Sequence, residues 1–261
     1  MSSLPRPTPP TSGATLVALV RAELRSLGRS WNVLLWTVAV PVLILALGET
    51  QVPAHDPHPA LSTWQIATIA QVVGTFSLGL FGYATVMAAY RDRGVFQRLR
   101  CTPAPHWQIP VARMLTQFAA VLLEALVVYL VARLAYHAAP TPAATALAVL
   151  AAALAGVASL ALGQAVVALG RSAQSVTAAS RLILVALFLS LGVFVRVTSW
   201  PAWLQRVDHA TPVYLASSLL TDALVHAAWH GTELRDLGGL AVWILVLGYV
   251  GLGRFRWSPS A

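Results

Sequence analysis

Few side chains in this sequence could do chemistry, and the most suggestive group places metal-binding residue types at every fourth position. Asp222, His226 and His230 would share one face of a helix, a spacing that can hold zinc. Cys101 is the only cysteine, so neither an intrachain disulfide nor a metal site built from a cluster of cysteines is possible. Without a cysteine or a further fixed ligand, we interpret these histidines as solvated or interfacial and predict no metal site.

Glu124 is the one acidic residue well inside a long apolar run. Burying an ionised carboxylate in a membrane costs at least a few kcal/mol, so Glu124 must face a partner or a wet cavity, or be protonated. Two interpretations stay open. Glu124 could line the path of a substrate and attract a cationic molecule, or its carboxyl could be hydrogen-bonded to a neighbouring helix, with Gln71 and Gln164 as candidate partners.

A dense basic segment, YRDRGVFQRLRCTPAPHW, runs from Tyr90 to Trp107 in a chain of which only 10% of residues are charged. Contact with anionic lipid would explain a basic loop, at roughly 1 kcal/mol per arginine. It does not explain why Gly94 allows a tight turn, why Phe96 and Leu99 give an apolar edge, or why prolines follow. We therefore predict a short, rigid, amphipathic projection that docks onto another protein.

The elements that position these residues lie in a membrane. The chain has 261 residues, is 57% hydrophobic and has a mean hydropathy of +0.71, whereas soluble domains are about a quarter charged. Runs of about 18 apolar residues can cross a hydrocarbon core roughly 30 Å thick, and in lipid a closed helix satisfies every backbone polar group. The sequence therefore predicts an all-α membrane protein, and the placement of its net charge of +8 argues against a nucleic-acid partner.

Hydropathy divides the chain into a disordered tail at residues 1–14 and one membrane domain at residues 15–261. An amphipathic interfacial helix is predicted at residues 15–30, with leucines and valine on one face and arginines on the other. Six spans follow, at residues 31–48, 64–90, 109–136, 143–170, 176–195 and 237–253. Between the last two spans, a segment interrupted by Pro201 and Pro212 predicts short helices on the outer face, with aromatic residues at headgroup depth. Whether this segment dips partly into the membrane stays open.

Arginine placement orients these spans. Thirteen of the 17 arginines fall on one set of helix ends and four on the other, and arginine is retained on the cytoplasmic side. Both termini and the basic segment are therefore predicted in the cytosol of a bacterium, with the chain in the plasma membrane. No lysine occurs, so the phosphate-binding pattern G-x-x-x-x-G-K-[ST] cannot be present and ATP hydrolysis is not expected of this chain.

The basic segment, read as YRDRGVFQRLRCTPAPHWQIPVARML, resembles the cytoplasmic signature of the ABC-2 type transporter permeases. That signature is an acidic and basic pair, Gly-Thr, an apolar residue, Glu-Arg-Leu-Arg and Thr-Pro; this sequence departs from it at Val95 and Gln97. The resemblance implies that this coupling segment fits a cleft in an ABC ATPase subunit. Its residues are Arg91, Asp92, Arg93, Gly94, Phe96, Arg98, Leu99, Arg100, Thr102 and Pro103.

A second segment resembles the outer motif of the same family, in which Pro-x-Trp-Leu precedes Thr-Pro and an aromatic residue. The matching residues are Pro201, Trp203, Leu204, Thr211, Pro212 and Tyr214.

The resemblance implies a half-transporter that pairs with a second six-helix permease, identical or different, in contact with membrane lipid. ATP and Mg would bind the partner ATPase and no cofactor this chain. The short loops favour export of a hydrophobic, drug-like or antibiotic-like substrate; lipid or polysaccharide export is the alternative within transport, and an intramembrane enzyme or a non-transporting scaffold lies outside it.

Overall fold

The computed structural model describes residues 12–29, 31–50, 63–99, 107–135, 141–191, 200–225 and 231–254. Every regular element in these ranges is a helix, which confirms the predicted all-α fold class. The elements are α1 (Ser12–Arg29), α2 (Trp31–Thr50), α3 (Thr63–Ser77), a π-helical segment (Leu78–Ala84), α4 (Thr85–Asp92), α5 (Val95–Leu99), α6 (Gln108–Ala135), α7 (Pro142–Leu169), α8 (Ala173–Ser190), α9 (Ala202–Asp208), α10 (Pro212–Leu224) and α11 (Thr232–Gly253).

Five helices among the described residues are long and apolar enough to cross a membrane. They are Thr63–Asp92, which joins α3, the π segment and α4, together with Gln108–Ala135, Pro142–Leu169, Ala173–Ser190 and Glu233–Gly253. The apolar part of α2 whose side chains are described, Ala39–Gly48, is shorter. The first predicted span lies within α2, and the full set of six spans stays a prediction.

Three helix starts lie three or more residues before the predicted boundaries. Helix α1 begins at Ser12, inside the predicted tail, α8 begins at Ala173, three residues before its predicted span, and α11 begins at Thr232, five residues before its predicted span. The polar first turn of α11 contains Glu233, and an acidic residue there is favoured by the helix dipole, so the helix extends beyond its apolar run. Residues 1–11 lie outside the described residues.

The long helix Thr63–Asp92 widens in its middle. Around Leu78–Ala84 it follows π-helical hydrogen bonding, and the Thr85 amide donates to the Leu80 carbonyl, five residues earlier. Such segments are rare and are found mostly as short insertions in α-helices, frequently at functional sites. This segment divides the span into an N-terminal part, α3, and a C-terminal part, α4.

Helix α7 lies at the centre of the bundle and contacts α3, the π segment, α6, α8, α10 and α11. Its crossing with the π segment requires glycine on both sides. A Cβ at Gly79 would overlap the Ser159 carbonyl, and a Cβ at Gly163 would overlap the Gly79 carbonyl. Ala151 and Ala155 continue this buried row of small residues, which lets the two backbones approach closely.

The predicted outer helices are present as α9, which is largely exposed, and α10, which packs into the bundle. Trp243 Nε1 donates to the Ala210 carbonyl in the α9–α10 turn at 2.7 Å. Trp243 lies eleven residues after Thr232, the first residue of α11, which is about 16 Å along the helix axis. The α9–α10 turn therefore contacts the middle of α11 and not its end. Helix α10 enters the bundle because its apolar residues, including Leu219 and Leu220, pack against α3, α7 and α11.

Candidate functional site

The coupling segment is an elbow formed by the end of α4, a two-residue turn and α5. Gly94 has a φ of 68°, a left-handed conformation that glycine adopts without steric cost. Its amide donates to the Arg91 carbonyl at 3.0 Å, and its own carbonyl accepts from the Arg98 amide at 3.2 Å. Gly94 therefore ends α4 and begins α5 within two residues, which fixes the angle between them.

Two adjacent residues of the elbow clamp the junction between α7 and α8. Arg91 is only 2% exposed, and its Nη1 donates to the Val167 carbonyl in the last turn of α7 at 3.0 Å. Asp92 Oδ2 accepts from the Ala173 amide at the start of α8 at 2.6 Å. A cation near a helix C-terminus and an anion at an N-terminus both complement the helix dipole. Arg91 and the signature's acid, Asp92, therefore stabilise two helix ends at once.

Phe96 anchors α5 to the bundle from the other side. It is 1% exposed and packs in a core cluster with residues of the π segment, α4, α7 and α8. The sequence predicts an apolar edge for docking, whereas the structure turns this aromatic ring inward. Arg93, Gln97 and Arg98 are exposed and form the outward face of the elbow.

The remainder of the predicted coupling segment lies beyond what the structure describes. Leu99 is the last residue of α5, but its side chain is not among the described ones. Arg100, Thr102 and Pro103 lie between residue 99 and residue 107, outside the described residues. Their docking role stays a prediction.

Arg113, which the sequence contributes only as a topology signal, links three elements. Its Nη1 donates to Glu23 Oε2 of α1 at 2.7 Å. Its Nε and Nη2 donate to the Gly82 carbonyl of the π segment, at 3.2 and 2.7 Å. Gln117 Nε2 adds a third donor to the same carbonyl at 3.0 Å. An arginine only a few residues into an apolar span needs such partners. The position of Arg113 in the sequence could therefore have identified it as a residue that links helices.

Glu124 lies at the end of a short buried polar chain. Gln71 Nε2 donates to Thr75 Oγ1 at 3.0 Å, and Thr75 Oγ1 donates to Glu124 Oε2 at 3.3 Å. Glu124 is 1% exposed, and among the described residues neither its Oε1 nor Gln71 Oε1 has a hydrogen-bond partner. Of the two partners expected from the sequence, Gln71 is connected to Glu124 through Thr75.

Gln164, the other expected partner, lies elsewhere. It accepts a hydrogen bond from the Tyr83 hydroxyl and donates to the Gly251 carbonyl of α11 at 3.2 Å.

The outer motif forms the turn between α9 and α10. Pro201 precedes α9, and Pro212 occupies the first turn of α10, where a missing amide costs nothing. Thr211 caps α10 by accepting from the Tyr214 amide at 3.2 Å and donates to the Asp208 carbonyl at 2.8 Å. Trp203 is 63% exposed.

The turn also carries a buried acid. Asp208 is 4% exposed and accepts a hydrogen bond from Ser190 at the end of α8, and its Oδ2 has no partner among the described residues. Burial raises the pKa of the Asp208 carboxyl above its ordinary value, and the Ser190 hydrogen bond opposes this shift.

A family model for the ABC-2 type transporter matches residues 14–225, which extend from α1 through α10. The chain belongs to the ABC-2 type transporter family. This membership confirms the resemblance read from the coupling segment and the outer motif. A search of curated proteins found no match.

As an ABC-2 type transporter domain, the helical bundle is a multi-pass membrane component of a transport system. Members of this family act as the permease part of ABC transporters and are not themselves enzymes, and the family implies an ABC ATPase partner in general. Among the described residues, no three His, Cys, Asp or Glu side chains are grouped closely enough to hold a metal ion. His226 and His230 lie outside the described residues.

Proposed function

We propose that this chain is the permease subunit of an ABC exporter for hydrophobic or amphipathic molecules, driven by a separate ATPase subunit that docks on the exposed face of the elbow. The observation that carries the proposal is the division of the elbow into two faces. Arg91 and Phe96 are buried in the bundle and the exposed Asp92 is tied to the start of α8, whereas Arg93 and Arg98 project from the bundle without such a role. A cationic surface on a rigid support suits recognition of acidic groups on a partner protein.

The internal contacts give a route by which force on the elbow reaches the spans. Arg91 bonds to α7 and Asp92 to α8, so a displacement of α5 acts on both helices at their junction. The same long helix carries the π segment, to which Arg113 connects α6 and α1. A transport cycle needs two arrangements of these helices, with the partner ATPase binding one of them more tightly.

The proposal includes an orientation and an assembly. The arginine distribution supports a cytosolic elbow and cytosolic termini in a bacterial plasma membrane. ATP and Mg would be held by the partner subunit, and a second permease chain, identical or different, would complete the translocation path. Labelling of Cys101 with a membrane-impermeant maleimide should fail in intact cells and succeed in inverted vesicles, and labelling from outside would refute the orientation.

The test of the docking face is a charge reversal. Arg93→Glu combined with Arg98→Glu should abolish co-purification with the ABC ATPase from native membranes, and with it ATP-dependent export. Arg254→Glu is the matched control, because it reverses an exposed arginine just after α11. Equal recovery of the ATPase with the double variant and the control would refute docking at this face.

A further inference from the structure

Helix α1 presents a mixed basic and apolar face away from the bundle. Arg21 and Arg25 are exposed there, and so are Val17 and Leu24, at 59% and 46%. At about 100° per residue, these four side chains lie within roughly 100° of one another around the helix, with the arginines beside the apolar pair. The other side of α1, which carries Glu23, packs against α6. The exposed face can therefore hold an anionic group and an apolar chain side by side.

The contacts of α1 place this face at the edge of the membrane. Glu23 pairs with Arg113, which lies five residues, or about 8 Å, from the first residue of α6. Trp107, directly before α6, is 46% exposed, and Leu115 is 48% exposed. An exposed tryptophan at the end of a span is typical of headgroup depth, and an exposed leucine beyond it faces acyl chains. Helix α1 therefore lies beside the lipid headgroups, on the same side of the membrane as the elbow.

This combination of side chains favours an anionic phospholipid over a soluble partner. Arginine attracts lipid phosphate, and each basic residue near an anionic surface contributes about fivefold in affinity. A soluble ligand would leave Val17 and Leu24 uncovered at headgroup depth, whereas the first methylene groups of a lipid cover them. Glu23 is the only acid of α1, and its carboxylate is bound to Arg113. The exposed face therefore has no carboxylate that would repel a phosphate.

Glu23 connects this face to the middle of the long helix Thr63–Asp92. Arg113, which Glu23 holds, also donates to the Gly82 carbonyl of the π segment through Nε and Nη2. Tyr90, near the end of α4, is a second hydrogen-bond partner of Glu23. A lipid that binds α1 more tightly in its docked position therefore favours the arrangement in which Arg113 holds the π segment.

We propose that the exposed face of α1 is a regulatory site for an anionic phospholipid, and that Glu23 and Arg113 couple its occupation to the π segment. Arg21 and Arg25 bind the headgroup phosphate, and the two apolar residues beside them lie against the acyl chains. Packing on α6 holds the arginines in place, so the docked helix binds lipid better than a free one. This role goes beyond the proposed export function, because it depends on neither the ATPase nor the identity of the substrate.

Binding is tested on the full chain in detergent, without ATPase or nucleotide, by native mass spectrometry. The probe is palmitoyl-oleoyl phosphatidylglycerol, and phosphatidylcholine with the same chains is the matched zwitterionic lipid. Arg21→Gln combined with Arg25→Gln should lower the affinity for phosphatidylglycerol about thirtyfold and leave that for phosphatidylcholine unaffected. Arg206→Gln combined with Arg254→Gln is the control, because it removes the same charge from exposed arginines outside α1. Equal losses in the two double variants would reduce the effect to net charge and overturn the site.

The coupling is tested with Glu23→Gln in nanodiscs of either lipid. This variant keeps both arginines of the exposed face, so it should bind phosphatidylglycerol at least as well as the unaltered chain. In the unaltered chain, phosphatidylglycerol should raise the melting temperature above that in phosphatidylcholine, because a ligand that prefers the folded state stabilises it. Glu23→Gln should lose most of this rise.

A second variant keeps the coupling test independent of the fold of the first. Arg113→Lys keeps the ion pair but not the forked contact to Gly82, so its rise in melting temperature should be intermediate. A full rise in both variants would overturn the coupling. Bound phosphatidylglycerol that does not stabilise the unaltered chain would overturn it as well.

The outcome is separable from that of the docking test. The Arg93 and Arg98 variant should lose the ATPase but keep phosphatidylglycerol binding, whereas the Arg21 and Arg25 variant should do the reverse. If the Arg21 and Arg25 variant lost the ATPase and kept phosphatidylglycerol, α1 would be a protein contact and the lipid site would be refuted.

Discussion

Arg113 Nη1 lies 2.7 Å from Glu23 Oε2, and this ion pair joins two helices that are 90 residues apart in sequence. Both side chains are largely buried, at 7% and 16% exposed. The remaining guanidinium nitrogens bond to the Gly82 carbonyl, so one side chain holds α1, α6 and the π segment together.

Removing either partner of this pair should be costly. Arg113→Ala leaves Glu23 without its cation and the Gly82 carbonyl without two donors, and we expect a loss of about 3 kcal/mol in the free energy of unfolding. Arg113→Lys should lose less, because lysine keeps the charge but cannot make the forked contact to Gly82. Thermal unfolding in detergent measures both changes. Identical melting temperatures for Arg113→Ala and the unaltered chain would contradict the linking role.

Arg91 and Arg93 are two positions apart, yet the same substitution should destabilise the protein at Arg91 and have little effect at Arg93. Arg91→Met leaves the Val167 carbonyl without its donor and should cost about 1–3 kcal/mol of stability. Arg93→Met changes an exposed side chain and should alter stability by less than about 0.5 kcal/mol. Melting temperatures of the two purified variants decide the comparison. A larger loss in Arg93→Met would mean that the assignment of inward and outward residues is reversed.

The sequence predicts the helices well because long apolar runs leave a membrane chain few other structures. It also identifies Glu124 as an acid that needs partners, and the structure supplies Thr75 and, through it, Gln71. The intermediate Thr75 could not be foreseen, because a threonine in a span commonly bonds within its own helix. Thr85 does so here with the Phe81 carbonyl.

The inward orientation of Phe96 could not be read from the sequence either. Helix α5 has only five residues, too few for a hydrophobic periodicity to tell which face meets the bundle. The Glu23–Arg113 pair depends on long-range packing, and the π segment sits where Arg113 and Gln117 supply donors from another helix. Such features follow from tertiary contacts that local patterns do not encode.

The buried carboxyl of Asp208 makes stability depend on pH. Its pKa is raised in the folded state, so folding favours the protonated form, and stability falls as pH rises from the ordinary pKa of 3.8 toward the raised value. Asp208→Asn removes this loss. The melting temperature of the variant relative to the unaltered chain should therefore increase between pH 4 and pH 7. Asp236→Asn in α11 serves as a control for neutralising a carboxylate nearby, and a difference that is constant across this range would contradict the assignment.

Gly163 lies at the crossing of α7 with the π segment, so alanine should be destabilising there but not at a helical glycine away from the crossing. Gly163→Ala would drive its methyl group into the Gly79 carbonyl, and overpacking of this kind costs about 1–3 kcal/mol. Gly248→Ala is the matched control, because it lies within α11 with no atom near the added methyl group. Alanine is the better helix former by roughly 1 kcal/mol, so the control should be unchanged or slightly more stable. Thermal unfolding of the two variants tests the difference, and a tolerated alanine at 163 would mean that the two backbones do not meet at this point.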